Sequence, residues 1–465
     1  MNILILGAGQ VGSTAAYQLA RAEANEVTIV DTDPTVLRDL QDRLDIRTVV
    51  GHAAYPQVLE RAGAKDADMV IALTSSDETN MVACQVAYTC FQTATKIARI
   101  RSAEYISAHV KEKDLNKKLF SQHAVPVDVF ISPEQLVTAH IEQLIRFPGA
   151  FQVLDFADGR VRLIGARALA GGRLVDQQIK YLHEHIPNVE ARIAALYRNG
   201  ESLLPDGNTL IREGDEVFFI ASRDDSRVVM NEMRRPEETV RRVVIAGGGN
   251  IGYRLAAALE TTNQVKVIER DRNQARKISE RLNKAIVLHG DAADEELLLE
   301  ENIDSADVFV SLTNAEEANI LSAMLAKRLG CNKVMALINR PSYAELVESG
   351  TIDVAISPQQ ITISSLLAHV RRGDVVKVHS LRRGEAESIE AVAHGSPEES
   401  LVVGRRVEDI PLPPGASISA IVRDDAIMEA HHDTMIETED HVILFITDRR
   451  QTEEVERLFQ VDVGF

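Results

Sequence analysis

The sequence has no tryptophan, and its 8 tyrosines and 12 phenylalanines make aromatics only 4% of 465 residues. So few rings leave little for a platform on which nucleic-acid bases could stack. Cysteine is nearly as scarce: Cys84, Cys90 and Cys331 form neither a CxxC pair nor a disulfide framework. All three read as buried thiols of a protein in a reducing, cytoplasmic compartment. No apolar run approaches the roughly 18 residues that a membrane span needs. The opening stretch Met1–Gly7 is short, lacks a basic start and runs into glycines, so a strand is expected there and not a signal peptide. Cations are in deficit, with 51 Lys and Arg against 70 Asp and Glu and a net charge of −19. That argues against nucleic acid or anionic lipid as a direct partner, because both reward clustered cations. It leaves room for a local basic site. Also missing are an HExxH pair, a Walker A loop and a GxSxG nucleophile elbow.

What is present is a tandem repeat. Residues 3–12 (ILILGAGQVG) return as 243–252 (VVIAGGGNIG), and 27–31 (VTIVD) as 265–269 (VKVIE). Residues 50–54 (VGHAA) match 289–293 (HGDAA), and 66–80 (DADMVIALTSSDETN) match 305–319 (SADVFVSLTNAEEAN). Chance does not keep four blocks in order and in register. The repeat continues through 132–145 (SPEQLVTAHIEQLI) and 357–370 (SPQQITISSLLAHV), where Ser132 and Ser357 are candidate helix N-caps. The prolines suit the first helical turn, and Gln135 and Gln360 would complete a capping box. A β-rich segment follows in each half, with 212–221 (REGDEVFFIA) matching 438–447 (TEDHVILFIT). Length alone suggests about three domains. The repeat changes this to four, over 1–130, 131–230, 240–355 and 356–465, with Arg234-Arg235-Pro236-Glu237-Glu238 as the linker between halves. The expected fold class is α/β: two Rossmann-like, doubly wound parallel sheets, each followed by a small β-rich α+β domain.

Each half opens on strand, glycine turn, helix, strand and acidic residue, the context that gives a GxGxxG sequence meaning. Gly7 would allow the tight turn, Gly9 the approach of phosphate to bare backbone, and Gly12 close packing of helix on strand. Ala8, Gln10 and Val11 complete the turn, and the N–H groups at the helix start would bind an anionic pyrophosphate. Asp31 can accept bonds from ribose hydroxyls and repel a 2′-phosphate, which favours NAD over NADP and also admits ATP or ADP. The second half repeats this with Gly247, Gly248, Gly249, Asn250, Ile251, Gly252 and Glu269. The opposing interpretation is a Rossmann-like fold that has lost its ligand.

Later strand ends add candidates, since ligands of parallel sheets lie at the carboxyl ends of strands. These are His52, Ala53, Thr74 and Ser75 in the first half, and Asp291, Ala292, Thr313 and Asn314 in the second. Plain capping of the following helices would explain them equally well. Arg99 ends the stretch KIARI and would clamp phosphate; the matching stretch KVMALI is read as placing Ala336 there. The acidic pairs Asp77-Glu78 and Glu316-Glu317 open helices, where acids suit the macrodipole. His183 and His185 are two apart on a helix and so do not share a face for metal; they and His431-His432 read as exposed, non-ligating residues. No proton donor with substrate anchors is evident, which disfavours the main alternative, a stand-alone NAD-dependent oxidoreductase. The small β-rich segments suit an effector site or an oligomer contact, and their residues do not choose between them.

The opening MNILILGAGQVGSTAAYQLA, its second copy VVIAGGGNIGYRLAAALE, the DADMVIALTSSDETNMVACQVA block and the SPEQL and SPQQI connectors resemble the RCK family, regulators of potassium conductance, also called KTN. The resemblance covers essentially the whole chain. It implies RCK N and C domains in the order N-C-N-C, binding of NAD(H) and, in some members, ATP or ADP, and assembly into homo-oligomeric rings. It also implies a regulatory, non-enzymatic role on the cytoplasmic face of the inner membrane. There an integral potassium-translocating subunit would hold the protein, without direct membrane insertion. By the same analogy Gly7 to Val11, Asp31, His52, Ala53, Thr74, Ser75 and Arg99 would form one nucleotide site. Gly247 to Ile251, Glu269, Asp291, Ala292, Thr313 and Asn314 would form the other.

Overall fold

The computed structural model describes all residues except 22–24, 103–104, 106–118, 122, 204, 236–238, 341, 345–350, 371–374, 382–384, 425 and 461–465. Three of the five linker residues, Pro236, Glu237 and Glu238, therefore lie outside the described residues. The apolar runs of each half form parallel strands, and the central ones are buried on both faces, which is why they do not alternate with polar residues. In the first half these are β1 (Asn2–Leu6), β2 (Glu26–Asp31), β3 (Arg47–Val50), β4 (Met69–Ala72), β5 (Thr95–Arg99) and β6 (Val129–Ile131). They lie in the order β3-β2-β1-β4-β5-β6. Helices Gln10–Leu19, Pro34–Gln41, Pro56–Arg61 and Asp77–Phe91 make the crossovers. The chain order reverses beside β1, so the glycine turn that leaves β1 sits at the switch point where such sheets bind ligands.

The first small sheet comprises β7 (Ala150–Phe156), β8 (Val161–Arg167), β9 (Ala191–Arg198), β10 (Glu201–Leu203) and β11 (Glu216–Ser222), ordered β10-β9-β11-β8-β7. The second parallel sheet has β12 (Arg242–Ala246), β13 (Gln264–Glu269), β14 (Ile286–His289), β15 (Val308–Ser311), β16 (Lys333–Leu337) and β17 (Val354–Ile356), in the order β14-β13-β12-β15-β16-β17. The last sheet comprises β18 (Val375–Leu381), β19 (Ala386–Val392), β20 (Ala416–Arg423), β21 (Ala426–Glu429) and β22 (His441–Ile446), ordered β18-β19-β22-β20-β21. The two small sheets share one topology and one internal staple. Arg198 grips the buried Asp215 with bonds of 2.9 and 2.7 Å, and Arg423 grips the buried Asp440 with two of 2.8 Å. The repeat is thus complete in both domain types.

The chain divides into two compact units, Met1–Leu136 with Gln359–His369, and Val137–Pro358 with Val370–Phe465. Within the first, the core of the parallel sheet includes Leu4, Leu6, Val70, Ala72, Ala83, Cys84 and Ala98. Within the second, Phe156, Phe218, Leu381 and Phe445 join both small sheets in one apolar cluster, and the Phe218 and Phe445 rings lie 5.6 Å apart. The connector helices span Pro133–Arg146 and Pro358–Leu367. Ser132 does precede its helix, but its hydroxyl is buried without a hydrogen-bond partner, so the expected capping box is not closed there.

Two further expectations change. Cys84 and Cys331 are buried, and burial pushes both thiols up to about 12; Cys90 is exposed. It lies in the last turn of helix Asp77–Phe91, past the stripe Asn80, Ala83, Cys84 and Ala87 that faces the sheet. His185 is not an exposed residue, because its Nδ1 lies 2.8 Å from the buried carboxylate of Glu232, while His183 faces Glu429 at 3.2 Å. Among the described residues, no helix is long and apolar enough to cross a membrane.

Candidate functional site

The three glycines of each turn meet three different demands. Gly7 and Gly247 have φ of +103° and +104°, a backbone region that side chains strain to enter. A Cβ on Gly12 would lie 1.8 Å from the Gly7 carbonyl, and one on Gly252 would lie 1.9 Å from that of Gly247. These two glycines let helix and turn touch. Gly9 and Gly249 face open space, with nothing within 4 Å of an added Cβ. No protein contact requires glycine there, and the space in front of them is where a phosphate would approach backbone. Helices Gln10–Leu19 and Asn250–Leu259 start immediately afterwards, and their first N–H groups lack intrahelical acceptors. That makes each a local positive end in a chain of net negative charge.

The acidic residue at the end of the second strand is anchored before any ligand arrives. One carboxylate oxygen of Asp31 accepts the Ala8 N–H at 2.5 Å and the other accepts that of Asp33 at 2.9 Å. Glu269 does the same with Gly248 at 2.6 Å and Asp271 at 2.8 Å. The bond back to the turn holds the acid beside the glycines, with its remaining lone pairs available to ribose hydroxyls. The turn carbonyls are tied differently: the Ser13 hydroxyl donates to Ala8, and the Gln274 amide donates to Gly248, each at 2.7 Å.

The other candidates follow the ends of β3, β4 and β5, or of β14, β15 and β16. His52 accepts the Ala54 N–H on Nδ1 at 3.3 Å and lies against the Tyr55 ring, while Asp291 accepts the Ala293 N–H at 2.9 Å. Both bind their own loops ahead of the helices and do not cap them: the N-cap positions are Tyr55, without a side-chain bond, and Asp294, which accepts the Glu296 N–H. Ala53 is buried beneath this turn, and Ala292 is partly buried. Ser75 offers its carbonyl to Arg101, and Asn314 lies exposed beside Thr313. Thr74 and Thr313 belong to a network missed from the sequence. The side-chain oxygens of Asn80 and Asn319, both fully buried, accept the N–H and hydroxyl of these threonines. Their amide nitrogens donate to the carbonyls of Arg99 at 2.8 Å and Leu337 at 3.0 Å. Each asparagine thereby ties two neighbouring strand ends together. Both close the repeated block ending at residues 80 and 319, the one signal that marked them.

That network corrects the alignment of the fifth strands. Ala72 pairs with Ala98, and Ser311 pairs with Ala336, so Ala336 corresponds to Ala98. Leu337 stands in the place of Arg99. The second half lacks the arginine as expected, but at a different residue, because the turns before the fifth strands differ in length by one. In the first half Arg99 is half-buried with its Nε unpartnered; desolvation pulls its pKa down and the nearby Glu134 pushes it back up. The acidic pairs also have another task. The buried Asp77 accepts the N–H groups of Arg101 at 2.9 Å and Ser102 at 2.8 Å, and Glu316 accepts that of Arg340 at 2.8 Å. They fasten the chain leaving the fifth strand, while Ser76 caps the helix in the first half. Arg101 and Arg340 are therefore equivalent basic residues at both strand ends, each 3.6 Å from its acid. They lie beyond the short stretches compared in sequence.

Comparisons with known proteins agree with this layout. The family of the TrkA-N domain matches residues 3–124 and 243–358, and that of the TrkA-C domain matches 163–234 and 397–460. A protein of Halomonas elongata named "Trk system potassium uptake protein TrkA" is 55% identical over 465 residues, covering 100% of both chains. One of the same name from Vibrio alginolyticus is 54% identical over 460 residues, covering 99% of each. Among solved structures, that of the GsuK RCK domain has a TM-score of 0.61 at 18% identity, covering 98% of this chain and 94% of that one. A structure described as the GsuK channel bound to NAD has a TM-score of 0.59 at 18% identity, covering 98% of this chain and 78% of its own. At this identity the likeness concerns the fold.

Proposed function

The chain belongs to the TrkA family of Trk system potassium uptake proteins, within the RCK family, and on that premise we propose that it is a nucleotide-controlled gate for potassium entry. Its relatives are named as potassium uptake proteins and not as enzymes, and the role proposed for this chain is regulatory. The observation that carries the proposal is the doubled turn, with Gly9 and Gly249 facing open space beside an anchored acid. NAD(H) is the proposed ligand, with ATP or ADP as further ligands of the same sites. Gly7, Ala8, Gly9, Gln10 and Val11 receive the phosphates, Gly12 lets the helix pack on the turn, Asp31 receives the ribose, and Arg99 with Arg101 the outer charge. His52, Ala53, Thr74 and Ser75 shape the strand ends. Gly247, Gly248, Gly249, Asn250, Ile251, Gly252, Glu269, Asp291, Ala292, Thr313 and Asn314 take the corresponding roles in the second site. Leu337 makes that site less suited to a highly charged phosphate chain.

The partner is an integral membrane potassium-translocating subunit, TrkH/TrkG-like, which holds a homo-oligomeric ring of this chain at the cytoplasmic face of the inner membrane. A ligand shifts a gate only by its unequal affinity for two conformations, so NAD, NADH, ATP and ADP must differ in that respect. The four-domain division at 1–130, 131–230, 240–355 and 356–465 belongs to the same proposal. The test is potassium flux through the membrane partner in proteoliposomes carrying this protein. Flux should change on adding NADH or ATP, and the change should shrink in Asp31→Ala. Flux indifferent to every adenine nucleotide would sink the proposal.

A further inference from the structure

The second connector helix, Pro358–Leu367, lies from Gln359 onward in the same compact unit as the first glycine turn. Gln359 donates from its side-chain nitrogen to the Gln10 carbonyl at 3.3 Å and to the Thr14 hydroxyl. Gln10 is the first residue of the glycine helix, and Thr14 lies one turn later on the same face. A carbonyl only accepts, so the contact needs an amide or another donor at position 359. The equivalent residue of the first connector is Glu134, a carboxylate, which has no proton to give when ionised and instead stands near Arg99. The two connectors are therefore not interchangeable, and only the second carries this donor.

We propose that Gln359 is a positioning residue of the first nucleotide site, one that holds the first turn of the glycine helix in its phosphate-accepting geometry. The inference rests on the nucleotide-binding function proposed above. Gln10 would present its N–H to the pyrophosphate and its carbonyl to Gln359, so one residue meets both. A nucleotide that orders this turn fixes both acceptors of the Gln359 amide. By linkage, a docked connector helix then raises nucleotide affinity by the factor with which nucleotide favours docking. The helix continues by covalent chain from β17 and onward to β18. Occupancy of the first site is in this way coupled to a segment more than three hundred residues further along the chain.

The experiment is NADH titration of the full-length protein by calorimetry, in backgrounds that isolate each site. In Glu269→Ala, which disables the second site, Gln359→Ala and Thr14→Val should each weaken binding about threefold to tenfold, the range for one or two neutral hydrogen bonds. The double variant should be no weaker than Gln359→Ala alone, because that change already removes the bond to Thr14 that Thr14→Val removes. In Asp31→Ala, which disables the first site, Gln359→Ala should leave affinity within about twofold. Hydrogen exchange provides a second readout: NADH should slow exchange of amides 359–369 in the wild type and not in Gln359→Ala. If Gln359→Ala fails to fold, Thr14→Val, which keeps the side-chain shape, carries the same test. Unchanged first-site affinity in both single variants, or fully additive losses, would overturn the inference while leaving nucleotide binding intact. A wild-type protein that binds no NADH would overturn the proposed function and the inference with it.

Discussion

Single atoms decide what the glycine turns tolerate. A methyl group at Gly12 collides with the Gly7 carbonyl at 1.8 Å, whereas one at Gly9 meets nothing within 4 Å. Gly12→Ala should therefore destabilise the protein by about 1–3 kcal/mol, as overpacking does, and abolish nucleotide binding through the distorted turn. Gly9→Ala should change stability by less than about 1 kcal/mol yet weaken binding about tenfold or more, because the methyl fills only the phosphate's approach. Denaturant midpoints and nucleotide titration of the two variants separate these effects. Burial of His140, near Lys333, and of His379, near Lys377 and Asp155, pulls both imidazoles down to about 4. The unfolded chain takes up their protons near the ordinary 6.5 and the folded chain does not. Their contribution to stability is thus present above about pH 6.5 and lost as the pH falls toward 4. A melting temperature that drops over this window, with a shallower drop in His140→Gln, is the expected result; equal slopes would mean that His140 is already charged when folded.

At the scale of elements, the strand ends are locked by residues from neighbouring helices. Asn319 occupies a fully buried position and links the end of β15 to the end of β16 through Thr313 and Leu337. Asn319→Ala strands the Thr313 N–H and the Leu337 carbonyl, and should cost about 1–3 kcal/mol, with faster amide exchange around residues 313–315. Asn80→Ala should do the same for Thr74 and Arg99. Unaltered exchange would show that the network is incidental. This scale also marks where the sequence stopped being legible. The glycine turns and the acids after the second strands were readable because short-range spacing dictates them. The asparagine network was not, since its partners lie 6 to 19 residues away and meet only once the sheet forms. The assignment to Ala336 failed for a related reason: the second half has one residue fewer between Asn319 and β16, which puts Leu337 in Arg99's place, and only strand register reveals that.

Across the whole molecule, duplication was legible because four sequence blocks repeat in order, and it extends to the topology of both sheet types. The grouping of Gln359–His369 with the first parallel sheet was not legible, since no local pattern tells a helix which sheet to pack against. Nor do the halves match in chemistry: Arg99 faces a strand end where its counterpart is Leu337, and Gln359 holds a position where the first connector has Glu134. The net charge of −19 suits the proposed attachment to a membrane partner, in which phosphate would be received by backbone amides. The central claim, two working glycine-turn sites in one regulatory chain, is tested most directly by calorimetric titration of the full chain with NADH. The account predicts two molecules bound per chain, falling to one in either Asp31→Ala or Glu269→Ala and to none in the double variant. Binding that is absent in the wild type, or that survives in the double variant, would contradict it.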